Sequence, residues 1–64
     1  DKLFVKTNVS GLNLIIYDIT GKVLIKEVMV NSETVIDMTS YPSGVYLGLL
    51  EKQGYHRAFK VIKK

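Results

Sequence analysis

The feature that most constrains this chain is the alternation of apolar and polar residues, with a period of two, along nearly all of its 64 residues. Successive side chains of a β-strand point to opposite faces of the sheet, so this alternation is typical of half-buried strands. The run from Leu14 to Tyr17 is apolar throughout and predicts a central strand that is covered on both faces. The pattern predicts six strands, over residues 2–7, 12–18, 22–30, 33–38, 44–51 and 55–62.

Residues that favour turns separate these strands. The clearest turn is residues 41–44, where Pro42 fixes φ and Gly44 relieves the return into the next strand. Gln53-Gly54 predicts a tight hairpin between the last two strands. No connection is long enough for a crossover helix, so neighbouring strands are expected to be antiparallel. Short strands at this spacing favour a β-sandwich or a small barrel.

Residues that could carry out chemistry are sparse. His56 is the single histidine, and no Asp or Glu stands at ligand spacing from it, so the sequence predicts no metal site. Ser40, His56 and Asp37 could be drawn as a hydrolytic triad, but small proteins contain such trios by chance. The absence of cysteine excludes disulfides and thiolate metal sites. We therefore predict a protein that is not an enzyme, without catalytic residues or cofactors.

The formal net charge is +3, and Lys60, Lys63 and Lys64 crowd the last five residues. Two interpretations of this cluster stay open: a solvated tail on an edge strand, or a basic patch that recognises an acidic partner. Nucleic acid is not an expected partner, because Arg57 is the only arginine and the aromatic residues are not spaced as stacking platforms. No window approaches the roughly 18 consecutive apolar residues of a membrane helix.

Two stretches are more specific than the rest of the chain. The first is LIIYDITGKV, at residues 14–23, and the second is IDMTSYPSGVYL, at residues 36–47. In this order, followed by a glycine-containing hairpin and a lysine-rich end, they resemble the type A C-terminal sorting domain of the type IX secretion system. The resemblance covers about residues 3–64. It implies an all-β fold, a small immunoglobulin-like antiparallel β-sandwich of about six to seven strands, forming a single domain over residues 1–64.

The chain departs from this family at its start. Family members commonly begin with a Pro-Asn-Pro segment that leads into the first strand, and this chain opens with Asp-Lys-Leu-Phe instead. We expect that the N-terminal lead-in of the family, or its first strand, is missing. We expect any export signal and any cleavage site to lie upstream. A sandwich without its first strand exposes an unpaired edge, which predicts a homodimer formed through that edge strand.

The resemblance implies a non-catalytic sorting signal of Bacteroidetes-type bacteria. Its partners would be a fused upstream cargo domain, the outer-membrane translocon and a sortase-like peptidase. Its location would be the periplasm in transit, then the cell surface or the medium. The residues expected to mediate recognition are Gly44, Tyr46, Lys60, Val61, Ile62, Lys63 and Lys64.

The alternative is an accessory immunoglobulin-like or carbohydrate-binding module of a secreted hydrolase, since fold does not fix function. The four tyrosines could then provide a sugar-binding face, although Tyr17 and Tyr46 are expected to pack against the core.

Overall fold

The structure is a computed structural model that describes residues 2–64. Within this range it contains six strands and no helix, so no described helix could span a membrane. The strands are β1 (Lys2–Lys6), β2 (Leu12–Tyr17), β3 (Val23–Met29), β4 (Glu33–Asp37), β5 (Gly44–Lys52) and β6 (Tyr55–Lys63). All six predicted strands are confirmed, and each end lies within one residue of its expected position.

The strands form two antiparallel sheets. One sheet pairs β1 with β4, and the other has the order β3-β2-β5-β6. The all-β antiparallel sandwich is therefore confirmed. The strand β2 is central, as expected, and β3 and β6 are the edges of the larger sheet.

The core lies between the two sheets. Val5 and Ile36 from the small sheet pack into the same cluster as Leu14, Tyr46 and Leu50 from the large one. These side chains all belong to the inward half of the alternation, which explains why the period of two identified them. No polar or charged residue among residues 2–64 is buried. Burial of apolar surface between the sheets is thus the main source of stability for this small domain.

The outer face of the large sheet is unusually apolar. Ile15 points away from the core cluster, yet it is only 5% exposed. Its register partners are Lys26 on β3 and Leu49 on β5, whose side chains flank it on the same face. The expected cover on both faces of β2 thus comes from a second sheet on one side and from neighbouring side chains on the other.

Gly48 is a close-approach position in the centre of the large sheet. It pairs with Phe59 on β6, and a Cβ at Gly48 would overlap the Phe59 ring. The ring therefore lies over the glycine, in the arrangement by which an aromatic residue covers the gap left by a glycine on the neighbouring strand. The sequence pattern marked both residues as strand positions without indicating that they touch.

Candidate recognition surface

The two sequence motifs and the basic end meet at one end of the large sheet. Gly44 and Tyr46 begin β5, and their register partners on β6 are Lys63 and Val61. Tyr17, at the end of β2, is the register partner of Leu47. Here the name terminal corner is used for residues 38–47 together with residues 60–64.

The turn before β5 is held in place by contacts among its own residues. Gly44 has φ of +153°, a conformation that residues with a side chain rarely adopt. The hydroxyl of the buried Tyr46 donates a hydrogen bond to the carbonyl of Pro42. The Tyr41 and Tyr46 rings meet edge to face with centroids 6.3 Å apart. Pro42, Gly44 and Tyr46 of the Pro-Ser-Gly-Val-Tyr segment thus each have a structural role in the turn.

Two of the predicted recognition residues on β6 are engaged inside the fold. Val61 is buried in the core cluster. The Lys63 ammonium group donates hydrogen bonds to the carbonyl of Met38, at 2.7 Å, and to the carbonyl of Tyr41. Lys63 therefore ties the last strand to the turn that precedes β5. Together with Gly44 and Tyr46, these residues shape the corner from within.

The other three predicted residues are displayed to solvent. Lys60, Ile62 and Lys64 are exposed, with Ile62 exposed over 63% of its surface. Lys60 lies opposite Leu47 and Ile62 lies opposite Val45, on the outer face of the sheet. We call Val45, Leu47, Lys60, Ile62 and Lys64 the outer patch. Sequence analysis missed Val45 and Leu47, because strand alternation places residues on a face but does not reveal their cross-strand neighbours.

Asp18 organises the neighbouring turn between β2 and β3. Its Oδ1 accepts hydrogen bonds from the Thr20 amide at 2.9 Å, the Thr20 hydroxyl at 2.6 Å and the Lys22 amide at 3.0 Å. The Thr20 hydroxyl, with smaller contributions from the two amides, lowers the pKa of Asp18 below its usual value. Gly21 completes the turn with φ of +91°. Asp18 therefore caps this turn.

The structure separates the residues of the hypothetical triad. His56 pairs with Glu51 beside the β5–β6 hairpin, whereas Ser40 lies in the turn before β5. At about 3.3 Å per residue, the seven steps from Gly44 to Glu51 span roughly 23 Å. No group of three or more His, Asp or Glu side chains among residues 2–64 could hold a metal ion.

The four tyrosines do not form a sugar-binding platform. Tyr46 is buried, and Tyr41 is half-buried against it. Tyr17 pairs with Leu47 on the outer face, whereas Tyr55 packs against the core cluster at the opposite end of the sheet. Carbohydrate platforms need aromatic faces that are exposed side by side, so this arrangement gives no support to a carbohydrate-binding module.

Comparison with known proteins gives one positive finding. No curated protein and no solved structure was found to match the chain. The sequence profile of the secretion system C-terminal sorting domain matches residues 1–64, the whole chain. Of the two motifs that pointed to the type IX sorting domain, one forms the ordered turn between β2 and β3 and the other forms the ordered turn before β5. The chain therefore belongs to the family of secretion system C-terminal sorting domains.

Proposed function

We propose that this domain is a non-catalytic sorting signal that directs a fused cargo protein through the type IX secretion system to the cell surface or the medium. Family membership over the whole chain is the observation that carries the proposal. The outer-membrane translocon would read the domain in the periplasm, and a sortase-like peptidase would then remove it. The fold suits this role, since it is small, ordered and supplied with an exposed edge strand.

We propose further that the translocon contacts the outer patch. Ile62, Leu47 and Val45 present apolar surface there, and Lys60 and Lys64 add positive charge. Exposed apolar patches surrounded by polar residues are typical of protein–protein contacts. Gly44, Tyr46, Val61 and Lys63 would act indirectly, by holding β5 and β6 in the shape that displays the patch.

The test is export of a periplasmic reporter carrying these 64 residues at its C-terminus, in strains with and without a working type IX system. Delivery to the surface is expected in the competent strain only. Retention of a folded, protease-resistant domain in the periplasm of both strains would contradict the sorting role. A second reporter with added upstream family sequence checks whether the lead-in segment is required.

The outer patch is tested separately with point variants. Deleting residues 60–64 would not serve, because it removes Val61 from the core and the Lys63 tether. The variants Ile62→Thr and Lys64→Glu keep the strand and change only exposed side chains. Lys26→Glu, on the outer face of the opposite edge strand, is the matched control. We expect slower export for the first two and normal export for the control, with unchanged melting temperatures for all three. Normal export of all three would exclude the patch while leaving the sorting role intact.

A further inference from the structure

A second surface lies between the two sheets, and it shares only Lys60 with the outer patch. A cleft of about 460 Å³ runs along β1 and is closed on its other side by β6. The cleft is lined by residues 3–8 on one side and by Tyr55, Arg57, Phe59 and Val61 on the other. No residue of β4 lines it. Since β4 pairs with β1 on one edge, the cleft lies along the opposite, unpaired edge of β1.

The unpaired edge of β1 offers backbone groups for hydrogen bonding. The Thr7 amide donates to the Ser32 carbonyl, which continues the β1–β4 register. Because hydrogen-bonded residues alternate along an antiparallel pair, Leu3 and Val5 also bond towards β4. The amide and carbonyl groups of Phe4 and Lys6 therefore point to the other side. Among residues 2–64 no strand pairs with them.

The cleft combines an apolar interior with a positively charged rim. Leu3, Val5, Leu50, Phe59 and Val61 contribute apolar surface. Arg57 and Lys60 are exposed at the rim and form no ion pair with residues 2–64. Lys6 adds a third cation, held by Glu33 only at 3.9 Å between exposed side chains. Among residues 2–64, none of the side chains that line the cleft is acidic. An occupant with acidic side chains would therefore meet complementary charge.

We propose that this cleft binds an extended peptide segment of a partner protein, which adds to the small sheet as a third strand beside β1. Its backbone would pair with Phe4 and Lys6, its alternate apolar side chains would enter the cleft, and its acidic side chains would face Arg57 and Lys60. Strand addition of this kind takes affinity from the backbone and selectivity from alternate side chains. The proposal does not depend on the sorting role.

Pairing with β1 or β6 of a second copy of this chain fits the cleft less well. The strand β1 carries Lys2 and Lys6, and the exposed edge strand β6 carries Arg57 and Lys60. Either strand would bring positive charge to a positively charged rim, which disfavours that pairing. The charge of the cleft thus favours an acidic segment over pairing with β1 or β6 of a second copy.

The test uses a blocked synthetic octapeptide, Glu-Val-Thr-Val-Glu-Val-Thr-Glu, titrated into the isotopically labelled domain at low ionic strength. Amide shift changes are expected at Phe4, Lys6 and Arg57. One control peptide replaces each glutamate with lysine, and another carries N-methyl groups on alternate backbone amides. Each control is expected to bind at least about tenfold more weakly, because it loses charge complementarity or backbone pairing. Equal binding of all three peptides, or shifts confined to the outer face, would overturn the proposal.

A matched pair of variants locates the pairing edge. Phe4→Pro removes the amide that faces the cleft, and proline is tolerated where a strand amide is not paired within the sheet. Val35→Pro is the control, since Val35 is the register partner of Phe4 and its amide points to the far edge of β4. We expect a loss of at least about tenfold in peptide affinity for Phe4→Pro and none for Val35→Pro. Arg57→Glu, a surface change, should reverse the preference between the glutamate and lysine peptides. Unchanged binding by folded Phe4→Pro, or an unchanged preference in Arg57→Glu, would contradict strand addition at β1.

Discussion

Lys63 illustrates how a single residue can be placed correctly by sequence and still take another role. The lysine-rich end predicted a displayed strand, and Lys60 and Lys64 are indeed exposed. Lys63 alternates to the other side, where its ammonium group reaches the carbonyls of the turn before β5. Sequence spacing could not show this contact, because it joins residues more than twenty positions apart.

We expect Lys63→Ala to lower the free energy of unfolding by about 1–3 kcal/mol, because the hydrogen bonds from a charged ammonium group to the Met38 and Tyr41 carbonyls are lost. Lys64→Ala, one residue further on and exposed, should change it by no more than about 0.5 kcal/mol. Urea unfolding at neutral pH measures both. Equal effects of the two substitutions would show that the tether contributes nothing.

The contact between Gly48 and Phe59 predicts that stability is lost through steric overlap when Gly48 is replaced. Gly48→Ala introduces a Cβ into space that the Phe59 ring occupies, so the ring must move, at about 1–3 kcal/mol of stability. In a Phe59→Leu background the same substitution should destabilise less. Ala58→Val, on the exposed outer face of β6, is the control and should be nearly neutral. Additive effects at Gly48 and Phe59 in the double variant would contradict the contact.

At the scale of elements, the alternation and the turn residues were enough to place all six strands, because strands and turns are determined by local patterns. Which strand pairs with which depends on contacts between distant segments. The order β3-β2-β5-β6 and the cleft beside β1 could therefore not be read from the chain. The motif residues were recognised, but their division into internal supports and an outer patch required the pairing of β5 with β6.

The turns carry a pH dependence. Thr39 lowers the pKa of Asp37 through hydrogen bonds from its side chain and from its backbone amide, which lies 2.9 Å from the Asp37 Oδ1. Thr20 lowers the pKa of Asp18 in the same way. A carboxyl group whose folded pKa lies below its unfolded value of 3.8 stabilises the fold above that value, and the contribution is lost as the pH falls through the lower, folded pKa. The urea concentration at the unfolding midpoint of the wild type should therefore decrease as the pH is lowered below about 4. The Asp18→Asn/Asp37→Asn variant should start lower and depend less on pH, and a parallel profile would contradict the assignment.

At the scale of the whole molecule, the small sheet has only two strands and leaves one edge of β1 open. Sheets with an open edge are prone to pair with other copies when concentration is high. We expect association of the isolated domain in the millimolar range, weakened by its net charge of +3 at low salt and strengthened at high salt. Light scattering across concentration and ionic strength measures this. A monomer under all conditions would contradict the predicted homodimer.

The contribution of β6 to the core has a consequence for biosynthesis. Phe59, Val61 and Lys63 complete the large sheet and the turn before β5, and all three stand among the last residues of the domain to be synthesised. The preceding strands can pair only partially until this segment leaves the ribosome. A polypeptide truncated before Lys63 would lack a finished terminal corner. The folded corner thus reports that translation has passed through the whole domain, and a receptor that reads it would admit chains with a complete domain over chains interrupted within it.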